Sequence, residues 1–357
     1  MAQSIETLDA LMSRIVDLDA RKLDLIADTR KMSSYVNGAD RLRLTVDTHG
    51  DDLQTFALNP NFRGQLANDL RIPKAYFDRM SNEAPELLKQ NVNHWLNANV
   101  DVRRMIRAYQ EPTGNVGRAW LSDAYRRLDH IEIARKLLPE FENLGTEIQF
   151  HQASVTDDKL YIRALFPRIE GEIKVGDTVR WGVEIRNSET GRGTLSIGGF
   201  VLRLACINGM VVSSVLNKRH VGRRLDDEGI LSDQALRADD RAFWLAARDM
   251  LKAAISETRF EEVIEQLRAT TEGREIVNVP KATEVLQSRF SLSEDEKDIL
   301  LTKIAAGGDL SRWGALNGIT AMAKTVESFD RQAELEEAGW ELAQVPAREW
   351  DQIALAA

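Results

Sequence analysis

Residues 178–216 read TVRWGVEIRNSETGRGTLSIGGFVLRLACINGMVVSSVL. Apolar and β-branched residues come in short runs broken by turn formers, a pattern of strands joined by hairpins. The glycines at 191, 193, 198, 199 and 209 mark turns, bulges or places where another backbone comes close. The stretch predicts an antiparallel sheet. Because its flanks read as helix and hairpin, the chain is expected to be α+β, mainly antiparallel, with flanking helices and a C-terminal helical block.

Upstream, QFHQASVTDDKLYIRALFPRI (149–169) places strand-like runs on either side of Thr156-Asp157-Asp158, a polar tight turn. In the same way RRMIRAYQEPTGNVGRAWLSDAYRRLD (103–129) alternates on both sides of Pro112-Thr113-Gly114-Asn115. Helical periodicity covers 131–144 and 61–99, where Pro73 and Pro85 suit helix starts. It also covers 5–17, with Ser4 as cap. Between these, residues 24–46 predict a small hairpin or pair of strands around Asn37-Gly38. After Leu225 the composition becomes helical, over 233–269 and again from Pro280 with a break at Gly307-Gly308. The expected organisation is a mixed domain at 1–225 and a helical bundle or cover at 226–357.

With 357 residues, 43% of them hydrophobic, the chain can bury a large core without staples. Its single cysteine, Cys206, excludes an internal disulfide framework and the multi-cysteine zinc patterns, so a reducing compartment, the cytoplasm, is expected. Charges interrupt the N-terminal apolar residues and every window long enough to span a bilayer, so neither a secretory leader nor a membrane partner is expected. No cofactor motif is present. GRGTLSIGG lacks the GK[ST] ending of a phosphate loop, the five histidines are scattered, and no HExxH occurs, so no metal site is expected.

Net charge is −9, yet Thr190–Leu225 carries Arg192, Arg203, Lys218, Arg219, Arg223 and Arg224 and no acidic residue. These cations, with His220, form the candidate nucleic-acid-binding set: they would neutralise successive phosphates and release counterions. Arg192 stands at a hairpin tip, and Trp181 or Phe200 would stack a base if exposed. The competing readings make the same cations internal counterions to Asp226, Asp227, Glu228 and the acidic helices, or holders of a small anionic ligand. A second group, Arg103, Arg104, Arg118, Arg126 and Arg127 near Tyr109, Trp120 and Tyr125, offers stacking and phosphate contact but reads better as packing. Asp157-Asp158 and Asp226-Asp227 are the carboxylate pairs a metal-dependent nuclease would need. Cys206 with His220 is the one nucleophile pairing, in an apolar context that suits an inert thiol. No catalytic residue is assigned.

The order of QLANDLRIPKAYFDRM, AWLSDAYRRLDHIEIARKLL, RLACINGM followed by KRHVG, and SRWGALNGITAMAK with Trp313, Asn317 and Thr320 resembles the phage/plasmid-like protein family, domain-of-unknown-function family 932. The resemblance covers most of the chain. It implies an accessory factor of phage or mobile-element replication or recombination, of an annealing type, that binds nucleic acid, single-stranded DNA above all, and self-associates. It supplies no catalytic residue. One departure stands out: relatives carry Glu-Asn after the cysteine, where this chain has Ile207-Asn208-Gly209. The alternative is a non-catalytic structural or protein-interaction factor, whose acidic helices take a basic partner.

Overall fold

A computed structural model describes residues 8–38, 42–48, 53–98, 102–125, 127–144, 146–218 and 233–356, with 213–218 and 233–240 as backbone. Helix α1 (Leu8–Ala20) leads to β1 (Lys22–Asp28), a 3-10 turn (Thr29–Lys31), β2 (Met32–Val36), β3 (Leu42–Asp47) and β4 (Leu53–Leu58). Helices α2 (Pro60–Asp69), α3 (Lys74–Glu83) and α4 (Pro85–Ala98) precede the hairpin of β5 (Arg103–Glu111) and β6 (Gly114–Ser122). Then come α5 (His130–Glu142) and strands β7 (Gln149–Val155), β8 (Leu160–Lys174), β9 (Asp177–Asn187), β10 (Leu195–Arg203) and β11 (Asn208–Lys218). The C-terminal helices are α6 (Asp233–Ala254), α7 (Glu257–Ala269), α8 (Val279–Phe290), α9 (Glu294–Gly307), α10 (Arg312–Ala323), α11 (Phe329–Gln344) and α12 (Ala347–Ala354). The fold is α+β.

Local chemistry accounts for several of these boundaries. Asn59 caps α2 by accepting from Phe62 N, with Pro60 in the first turn where its missing N–H is harmless. Ser293 and Glu296 close a capping box on α9, and Ser311 caps α10 through Gly314 N. Among the described residues no helix is long and apolar enough to cross a membrane.

Strands β7 to β11 form a sheet in which every neighbour is the next strand in sequence and runs antiparallel, as 178–216 predicts. Two glycines make room inside it. A Cβ at Gly182 would lie 2.5 Å from Ala164 O, and one at Gly199 would overlap the Trp181 ring. Alternation sends Trp181, Val183 and Ile185 to one face. There Trp181 donates to Ala254 O at 3.0 Å and its ring packs 5.5 Å from Phe260, so α6 and α7 close that side. The opposite face carries Arg163 and Glu184 against Glu336 of α11. One continuous apolar core takes in this sheet, α1, α5 and the C-terminal helices.

The first sheet has the order β1-β5-β6-β4-β3-β2 and closes over a second core with α2 to α4. Its β2–β3 and β5–β6 hairpins fall where Asn37-Gly38 and Pro112-Thr113 predict turns. The hairpin expected over 24–46 is corrected in its first strand: β1 pairs with β5, not with β3, whose hairpin partner is β2. β4, which the sequence reading passed over, pairs parallel to β6, and α2 to α4 supply the crossover that a parallel pair requires. β1 and β2 are therefore the two edges of a six-stranded sheet although only Thr29–Lys31 separates them. In a flat sheet five inter-strand spacings would put the edges roughly 24 Å apart, beyond the reach of that link, so the sheet curls until they approach.

The two sheets meet at a buried ionic joint. Glu189, 1% exposed in the β9–β10 connection, lies 3.0 Å from Lys22 of β1 and 3.1 Å from Arg118 of β6, and accepts from His130 N at 2.7 Å. Arg107 of β5, with no exposure, pairs with Asp24 at 2.9 Å and Asp129 at 2.6 Å. Burial opposes charging Glu189, but the surrounding cations prevail and hold its carboxyl well below the usual range.

Candidate functional site

Of the residues expected to bind nucleic acid, the three that are described, Arg192, Arg203 and Lys218, do not lie at one end of the sheet. Arg192 lies in the β9–β10 hairpin, its side chain more than half exposed and 3.5 Å from Asp158. Lys218 ends β11, its backbone paired with Leu195, and so reaches the same end of the sheet. Arg203 closes β10 at the far end, roughly 25–30 Å away at the rise of an extended strand. Placing Arg203 beside Arg192 is thus corrected by strand direction. Arg219, His220, Arg223 and Arg224 lie outside the described residues, as do Asp226-Asp227 and Arg126.

Trp181 and Phe200 have no exposed surface, which removes them as stacking platforms. Phe200 is covered by the Arg163 guanidinium, 4.7 Å from its ring centre. In the second arginine group Arg104 and Arg118 are engaged in packing, whereas Arg103 and Arg127 are exposed. Arg104 makes a two-pronged pair with Asp69 at 2.6 and 2.8 Å, Trp120 donates to the same carboxylate at 2.9 Å, and Arg118 lies over the Tyr109 ring while it faces Glu189. Asp157 and Asp158 share a hollow with Asp330, and burial, helped by Asp330 and Asp157, raises the Asp158 pKa against the pull of Arg192. Among the described residues no three His, Cys, Asp or Glu side chains are grouped to hold a metal ion.

Arg203 leads to a different site. It opens into a cleft of about 520 Å³ between the β8–β9 and β10–β11 turns and helices α9 and α10, with Lys174, Lys303, Lys324, Asn208 and Asn317 also on its walls. Arg203 is held flat by Asp177, bonded at 2.6 and 2.8 Å, and Asp177 also accepts from Trp313 Nε1 at 2.8 Å. Lys174 pairs with Asp309 at 2.6 Å. Lys324 donates to the Cys206 carbonyl at 2.9 Å and has no carboxylate partner among the described residues. Lys303 is exposed on α9 with neither hydrogen bond nor ion pair among the described residues. After Asp177 and Asp309 are matched to Arg203 and Lys174, the cleft keeps the two lysine charges.

Helix geometry builds this wall. Gly314 and Gly318 stand one turn apart on α10: a Cβ at Gly318 would strike Ile304, so this glycine lets α10 press against α9, and one at Gly314 would strike Asp309 in the turn before α10. The β10–β11 turn brings Cys206 and Asn208 to the opposite side, with Ile207 at φ 52° in a left-handed conformation that a β-branched residue rarely takes. Sequence reasoning named Arg203 as a binding residue, and Asn208 only as a departure from the family pattern, but not Lys174, Lys303 or Lys324, which come from segments far apart in the chain. One signal was present: RLACINGM and SRWGALNGITAMAK, two of the stretches behind the family resemblance, face each other across this cleft. No family model, no curated protein and no solved structure matches the chain, so the resemblance rests on those stretches alone.

Proposed function

We propose that the chain is a non-catalytic nucleic-acid-binding protein of the phage/plasmid-like kind, with single-stranded DNA as its favoured partner in recombination or replication. The observation that supports this is the cleft at Arg203, where Lys303 and Lys324 line open space with no carboxylate partner among the described residues. Exposed cations in a concave site attract phosphate, and each phosphate they neutralise releases counterions. A strand crossing the cleft would meet Lys303 and Lys324 first, with Lys174 and Arg203 behind them. The second reading, a protein-interaction factor with internal counterions, draws on Arg192 and Arg203, which both face carboxylates of their own chain.

Fluorescence anisotropy with labelled single-stranded DNA, single-stranded RNA and duplex DNA over a salt series separates the two. The binding reading expects tight, salt-sensitive association with the single strand. Lys303→Ala with Lys324→Ala should lower the slope of log affinity against log salt by about 1.4, at about 0.7 per single-strand phosphate contact. No binding near physiological salt favours the protein-interaction reading, and an unchanged slope removes the cleft from the account. Sedimentation in the same salt series reads the self-association that an annealing-type protein would need.

A further inference from the structure

Asn208 is 4% exposed, lies on the wall of the cleft, and its side chain has no hydrogen-bond partner among the described residues. An asparagine at the start of a strand after a turn ordinarily ties the turn together with its carboxamide, and here it does not. On the α10 side, Asn317, 9% exposed, donates Nδ2 to Trp313 O at 2.7 Å, and its Oδ1 has no donor among the described residues. No atom of either carboxamide is among the fully buried side-chain atoms that lack a partner, so the unpaired amide atoms reach the open space of the cleft, where a ligand can meet them. The two amides together present donors and acceptors where the lysines present donors only. A bare phosphate would satisfy the lysines and leave the amide oxygens unmet. A ligand that met both the amides and the lysines would carry a donor beside an acceptor as well as negative charge.

We propose that this cleft binds a single nucleotide, its phosphate on Lys303 and Lys324 and its base edge on the carboxamides of Asn208 and Asn317. The inference rests on the nucleic-acid reading above and deepens it from charge contact to base contact. Adenine fits best, because its N7 acceptor and N6 donor lie side by side and match one carboxamide in a two-bond pair. The cleft volume of about 520 Å³ falls within the range of small-molecule sites. The same chemistry belongs to a nucleotide lifted out of a bound strand and to a free nucleotide in solution.

The test uses a labelled single strand of abasic sites, the same strand with one central adenine, and deoxyadenosine monophosphate, each titrated against the full chain and Asn208→Leu. The expected result is at least tenfold tighter binding of the adenine-bearing strand. Asn208→Leu should lose that preference and keep the salt slope, which belongs to the lysines. Asn317→Leu gives the same reading if Asn208→Leu fails to fold. Equal affinity for the two strands, with salt-dependent binding intact, overturns the base contact and leaves strand binding standing. Mononucleotide binding that Asn208→Leu removes, without strand binding, overturns the strand reading and supports a free-nucleotide site. Binding of neither overturns both.

Discussion

His130 opens α5 in full burial, its Nδ1 3.2 Å from Asn187 Nδ2, which also donates to Leu128 O at 2.9 Å. A donor there requires the ring nitrogen to accept, so the neutral ring fits and a protonated ring would set donor against donor. Burial is the main reason its pKa falls from 6.5 to about 4, with Glu189 pulling the other way. The unfolded chain binds the proton first as pH drops. Stability tied to the neutral ring is therefore whole above 6.5 and is lost as pH falls toward 4, a loss on the order of 3 kcal/mol. His151, lowered to about 4 by burial and by Arg163, adds to the same window. Urea unfolding at stepped pH should show the midpoint falling across this range, less steeply in His130→Gln. An equal slope in the variant would clear His130 as its source.

Edges of sheets carry unpaired backbone groups, and β2 shows how one is closed. Asn93 of α4 accepts from Ser34 N at 2.6 Å and donates to Ser34 O at 2.9 Å, standing in for a neighbouring strand. Asn93→Ala should cost about 2 kcal/mol, seen as a lower melting temperature and faster amide exchange at Ser34. Unchanged exchange would mean that the edge is protected some other way. Elements of this kind divide into those the sequence discloses and those it hides. Turns at Pro112-Thr113 and Thr156-Asp158 are legible because their chemistry sits in adjacent residues. The pairing of Lys22 with Tyr109 and the parallel match of Phe56 with Asn115 are not, because their partners lie far along the chain. The cleft follows the same rule: the cation Arg203 is visible in sequence, and the Asp177 that holds it is not.

Across the whole molecule, two apolar cores are joined through charge. Glu189 is the centre of that joint, contacted by Lys22 and Arg118 from one sheet and by the backbone of His130 from the helix before the other. Removing one partner of a buried pair leaves the rest uncompensated, so Glu189→Gln should cost about 3–5 kcal/mol in urea unfolding. Because the loss falls between the cores, the variant should also unfold in two steps, with fluorescence of Trp120 and Trp181 no longer changing together. A single transition at the original midpoint would show that the joint contributes little. The curled first sheet has a different consequence, in the order of events during synthesis. β1 leaves the ribosome long before β5, its one partner strand, and the short Thr29–Lys31 link cannot bring β2 into its place. With translation at about 5–20 residues per second and roughly ninety residues between the partners, β1 waits on the order of ten seconds. Through that interval Leu23, Leu25 and Ala27 have no sheet to join, and any chaperone that holds the nascent chain finds its first substrate there.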